Sequence, residues 1–206
     1  ALANHVILVL PIAEVFFSND TVTQVSSIIL LDTVVCLSVI SFFLELTTKK
    51  KIKFLEFLKN LTLNPLILST LVGLIIKFLN ISIYGTSFEY TLIRLADCMM
   101  PVGLFAIGIT FSYYSKKVIN NLTLTISIIK LILSPLVLIL ISYSFFGLSN
   151  PVDISGAFLV SVGPCGASSI IICSAYNINP ENVIKALFIS TFASIFTIIF
   201  AINLLS

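Results

Sequence analysis

Tryptophan is absent from this 206-residue chain, histidine occurs once, at His5, and charged residues make up only 10% of it. A soluble domain carries roughly 25% charged residues, so a chain that is 58% hydrophobic with a mean hydropathy of +1.16 belongs in a bilayer. At ~20 residues per span plus a loop there is room for about seven or eight spans and for no sizeable extramembrane domain. The net charge of +2 is too small to recruit nucleic acid. Cys36, Cys98, Cys165 and Cys173 each sit in an apolar run, form no CxxC pair and, with a single histidine, build no zinc site. They are expected to pack as small hydrophobes, with Cys165 the one worth following for chemistry. No HExxH and no paired catalytic acids occur, so neither an enzyme nor a cofactor is expected. The chain opens on Ala1 with no basic segment ahead of its first apolar stretch, so no signal peptide is visible; the start is either processed or that of a fragment.

What is present is long apolar runs. They predict an all-α, polytopic transmembrane helical bundle with spans at roughly 1–17, 21–44, 63–80, 88–112, 120–146, 152–176 and 181–204. The dipeptides Asn64-Pro65, Asn150-Pro151 and Asn179-Pro180 mark helix starts, because asparagine accepts from orphan amides and proline suits the first turn. Gly147 marks an end. Lys49, Lys50, Lys51, Lys53 and Lys59 crowd one connection, Lys116 and Lys117 another, and Lys185 a third. These are alternate loops, so the positive-inside rule starts the chain inside and puts the C-terminus outside. The tyrosines lie near span ends, the belt position. Residues 45–60 are the only long polar connection and repeat their apolar residues at helical spacing. This segment is either a basic interfacial helix for anionic lipid or a partner, or a plain tether between two halves.

Three charges reach mid-bilayer depth, Asp32, Asp97 and Lys130, and Arg94 lies one turn outward of Asp97. Charge there costs from ~2.5 kcal/mol upward, so these residues form either a functional network or one that only fixes packing. Glu14 is near a span end and should reach water. The second anomaly is backbone. Pro101, Gly103 and Gly108 share one span, and Gly163-Pro164-Cys165-Gly166-Ala167-Ser168-Ser169 places the densest breaker cluster mid-span in another. Proline frees a carbonyl, and such clusters persist in lipid where protein or a cavity satisfies the freed groups. The reading favoured over close packing alone is an interrupted helix whose second half aims the amides of Gly166, Ala167, Ser168 and Ser169 at an anion. Pro11 breaks the first span. The first and sixth spans are five apart, each has a mid-span proline, and they run in opposite directions, the pattern of a secondary carrier with inverted repeats.

The runs LNPLILSTLVGLIIKFLNI, ADCMMPVGLFAIGITF, IKLILSPLVLIL and GPCGASSIIICSAYNINPENVIKALFISTFASIFTII resemble the second half of the auxin efflux carrier family, ten-helix carriers of organic anions in bacteria and plants. ALANHVILVLPIAEVFF resembles the family's fourth helix, with Asn4 ahead of the crossover Pro11. The resemblance implies a 5+5 inverted-repeat fold lacking its first three helices here. Residues 1–46 would close the first repeat, 47–62 would be a cytoplasmic basic linker, and 63–206 the second five-helix repeat. It also implies an anion site at two crossing, partly unwound helices, carried by Asn4, Pro11, Gly163, Pro164, Cys165, Gly166, Ala167, Ser168 and Ser169.

The function expected is secondary-active transport of a small organic anion, such as malonate or malate. The expected partners are that anion, the bilayer, H+ or Na+ as coupling ion, and a second copy of the chain; the expected location is a cell membrane, most simply a bacterial inner membrane. An inactive carrier fragment is the alternative. A seven-helix retinal protein fails for want of a mid-membrane lysine in the last span, which has only Lys185 at its edge.

Overall fold

The computed structural model of the chain describes residues 3–48, 65–114, 120–148 and 150–205. In chain order its helices are α1 (His5–Phe16), α2 (Asn19–Thr47), α3 (Pro65–Phe78), α4 (Ser87–Tyr113), α5 (Asn121–Phe146), α6 (Ser155–Val162), α7 (Ser168–Ala175) and α8 (Glu181–Leu205). No strand lies among the described residues, as lipid demands of a chain that must satisfy its backbone segment by segment. Of these helices, α2, α4, α5 and α8 are long and apolar enough to cross a bilayer. The sixth span is two half-helices. From residue 49 onward the amphipathic segment at 45–60 lies outside the described residues, as do Asn64, Lys116 and Lys117.

Helix ends follow local chemistry. The Asn150 side chain accepts from the Val152 amide at 3.1 Å, and that of Asn179 from the Glu181 amide at 3.0 Å. Asn120 and Thr123 exchange bonds in a capping box ahead of α5. Gly147, at φ 63°, ends α5, a left-handed conformation that a residue without Cβ adopts freely.

The helices are not uniform along their length. One-turn π segments occur at His5–Val9 in α1, Asp32–Cys36 in α2 and Ile129–Leu133 in α5. Two of them run directly into a proline-bearing first turn, Pro11 and Pro135. A proline ring clashes with the carbonyl four residues back, and widening the preceding turn relieves that clash. Pro11 therefore does not interrupt α1 at mid-span; it opens the regular part of that helix, and the non-helical backbone lies upstream at Asn4. Pro101 is likewise absorbed, because the regular helix is interrupted at Cys98 and then runs on from Met99 through Gly103 and Gly108.

The chain forms two compact units. The first comprises Ala1–Ile28 and Met99–Ser206. Its core runs along α6 and α8, where Phe158, Leu159, Val162, Ile184, Leu187 and Ala201 are buried. The start of α2 is fastened to α6 by a Thr21–Ser155 hydroxyl pair at 2.8 Å and by the Gly156 amide donating to Gln24 Oε1 at 2.9 Å. The second unit, Ile29–Cys98, holds the rest of α2, α3 and the front half of α4. Thr86 caps α4 there by accepting from the Glu89 amide. Phe196, Phe200 and Leu140 in the first unit and Phe43, Leu95 and Ile75 in the second stand exposed. In water that would invite aggregation; for spans in acyl chains it is the ordinary outward face.

Candidate functional site

α6 ends at Val162 and α7 begins at Ser168, with Gly163 extended at φ −70°, ψ 158°. Pro164 has no amide to lose, and the residue before a proline is pushed out of the helical region. Across this break lies the start of the chain. Ala3 and Cys165 form an antiparallel bridge, and the Asn4 amide donates to the Pro164 carbonyl at 2.9 Å. The crossing is therefore at Asn4, not at Pro11 as the sequence suggested. Val9 packs on the break from the same helix: a Cβ built on Gly163 would stand 2.6 Å from Val9 Cγ2.

The freed backbone groups of the break are satisfied by side chains from α5 and α8. Lys130 Nζ donates to the carbonyls of Val160 and Ser161 at 3.1 and 3.0 Å, and Thr197 donates to that of Val162 at 2.8 Å. The Cys165 amide donates to Ser190 Oγ at 3.0 Å. Ser169 and Ile170 turn their amides back to the carbonyls of Gly166 and Ala167. Those of Ala167 and Ser168, the first donors of α7, meet no acceptor among the described residues. Beside the break a cavity of about 650 Å³ is bounded by Lys130, Ser134, Cys165 and Ser169 and by apolar side chains such as Ile126, Leu133 and Val183. Asn4 is buried, 3% exposed, and its side-chain NH2 has no acceptor among the described residues.

Of the residues flagged from sequence, Asn4, Gly163, Pro164, Cys165 and Lys130 thus meet at one place. Pro11 lies further along α1, and Gly166, Ala167, Ser168 and Ser169 lead into α7. Asp32, Arg94 and Asp97 belong to the other unit. There Asp32 opens the π turn of α2, and Arg94 pairs with Asp97 at 3.7 Å while lying 5.0 Å from the Tyr90 ring centre. Both partners of that pair are more than half exposed on the chain. Lys185, counted above as a loop lysine, is buried with its ammonium 2.6 Å from Glu181. Glu14 is exposed. Ser190 and Thr197 were not anticipated, although with Ser194 they repeat at helical spacing along an otherwise apolar α8, a readable polar stripe.

The tight approach at the crossing gives a direct test. Gly163→Ala should lower stability by about 1–3 kcal/mol, because valine is stiff and cannot swing its methyl aside. Val9→Ala in the same chain should recover most of that loss in a thermal unfolding series. Additive losses would mean that the two residues do not meet.

A multi-pass helical chain that breaks one span in mid-membrane and satisfies the break with polar side chains of its neighbours is built as a membrane transport protein. The membrane transport protein family, that of the auxin efflux carriers, matches residues 45–202, and the chain belongs to it. The match takes in α3 to α8. No curated protein and no solved structure matches the chain.

Proposed function

We propose that the chain carries a small organic anion across a membrane by secondary-active transport, with the anion held at the crossing of the chain's first residues and the broken sixth span. The observation that carries this reading is the backbone bridge of Ala3 and Asn4 to Pro164 and Cys165 next to a cavity with a lysine in its wall. Irregular backbone at membrane depth is tolerated where it lines a site, and half-helix N-termini favour anionic groups. The amides of Ala167 and Ser168, unanswered among the described residues, and the buried NH2 of Asn4 are donors that a carboxylate would answer; an unmet buried donor costs about 1–3 kcal/mol. Ser168 and Ser169 add hydroxyls. The charges of Asp32, Arg94, Asp97 and Lys130 are assigned to one network that tunes transport. On the lysine distribution the C-terminus faces outside, and residues 63–206 form one repeat, with 1–46 contributed by the other.

Equilibrium binding of labelled malonate to the protein in lipid nanodiscs tests the reading. Pro164→Ala combined with Gly166→Ala, which restores helical backbone at the break, should weaken binding about tenfold, equivalent to ~1.4 kcal/mol, with membrane insertion unchanged. Unchanged affinity would move the anion elsewhere. A wild-type chain that binds neither malonate nor any other small carboxylate would sink the reading itself.

A further inference from the structure

The C-terminal end of α6 holds carbonyl contacts of Lys130 that the anion reading leaves unexplained. A helix leaves its last four carbonyls without internal partners and carries about half a negative charge there. At this end Thr197 covers the Val162 carbonyl, and Lys130 lays its ammonium on the carbonyls of Val160 and Ser161 at 3.1 and 3.0 Å. Lys130 is only 7% exposed. Removing an ammonium from water is costly, and strong oxygen partners are the usual compensation. Unwound carbonyls and half-helix C-termini near the bilayer midplane are the groups with which secondary carriers bind a coupling cation. Hard monovalent cations and ammonium ask for the same thing, a converging set of oxygens, but a lysine is covalently tethered and does not dissociate.

We propose that the Lys130 ammonium is a built-in substitute for a coupling cation: it fills a carbonyl site at the end of α6, so that no free Na+ is needed to neutralise it. This deepens the transport reading, on which its meaning for coupling rests; the cation chemistry itself stands on the carbonyl contacts. A corollary is that removing the side chain uncovers a site for small cations. Propylammonium matches the carbons and nitrogen that Lys130→Ala deletes.

The experiment is thermal unfolding of the protein in nanodiscs, with NaCl, propylammonium chloride or choline chloride compared at equal ionic strength. The wild-type chain should unfold at the same temperature in all three salts. Lys130→Ala should unfold earlier in choline and regain stability in a saturable way with propylammonium, or with Na+. The rise expected is about 3–6 °C at ten times the dissociation constant. Lys130→Arg keeps a cation on the carbonyls and should stay indifferent to Na+. If Lys130→Ala folds only when propylammonium is present during its preparation, the proposal is supported; if no cation recovers it, or if it folds and responds to none, the proposal fails. A saturable Na+ response of the wild-type chain also overturns it. No arm contains an organic anion, so a failure of malonate binding leaves these outcomes untouched, and the reverse holds as well.

Discussion

Gly156→Ala is expected to be among the most damaging single-methyl additions to this protein, costing about 3 kcal/mol, the upper part of the range for overpacking. The new Cβ would stand 2.4 Å from Gln24 Cβ and 3.0 Å from the Thr21 carbonyl oxygen. Neither atom is the free end of a flexible side chain, so relief needs the backbones of α2 and α6 to part. They are held together at that point by the Thr21–Ser155 hydroxyl pair and by the Gly156 amide on Gln24, and parting them loses both bonds. Gly108→Ala is the control, since nothing lies within 4 Å of the added methyl and alanine is the better helix former by up to about 1 kcal/mol. Thermal unfolding should separate the two variants by roughly 10 °C. A Gly156→Ala protein as stable as the wild type would mean that α2 and α6 do not approach as described.

Ser190→Ala should cost about 1–3 kcal/mol, the penalty for stranding a buried donor, because Ser190 Oγ is the acceptor for the Cys165 amide at 3.0 Å and the residue is fully buried. Ser194 offers a matched comparison on the same helix. It is equally buried, yet its hydroxyl donates only to the Thr191 carbonyl one turn back. Ser194→Ala should therefore lie within about 0.5 kcal/mol of wild type. The difference between the two serines, measured by urea or thermal unfolding in the same lipid, reports the broken span specifically. Equal losses would show that burial alone, not the Cys165 amide, sets the cost.

Much of the fold was legible because its signals are local. The apolar runs, the asparagine caps at Asn150 and Asn179 and the glycine stop at Gly147 each act within a few residues of where they are read. The break at Gly163–Pro164 was legible for the same reason. What sequence could not provide was partnership across the chain. Pro11 announces distortion, but whether a proline breaks a helix or begins its regular part depends on the turn before it. Here that turn widens into a π segment, and the irregular backbone lies at Asn4. Lys130 was read by depth as one member of a charge network; that it also donates to main-chain carbonyls of α6 is something no charge pattern encodes. Lys185 shows a second partnership that the charge count does not reveal. A lysine near a span end counts toward loop charge, yet an acidic residue one turn earlier allows it to be buried beside Glu181. Ser190 and Thr197 form a polar stripe, a weak signal because serine and threonine are common at the interfaces of membrane helices.

The bridge between Ala3 and Cys165 also dictates an order of events during synthesis. Its two residues are separated by about 160 positions, so its closure is among the most non-local contacts of the described residues. The segment around Asn4 is translated well before the Pro164 carbonyl that receives its amide, which emerges only once α1 to α6 have been translated. Until then the buried amide side chain of Asn4 has to be hosted by the insertion machinery, by water or by headgroups. The crossing thus joins a segment made early to one made about 160 residues later, and an arrest of translation before residue 164 leaves no crossing at all.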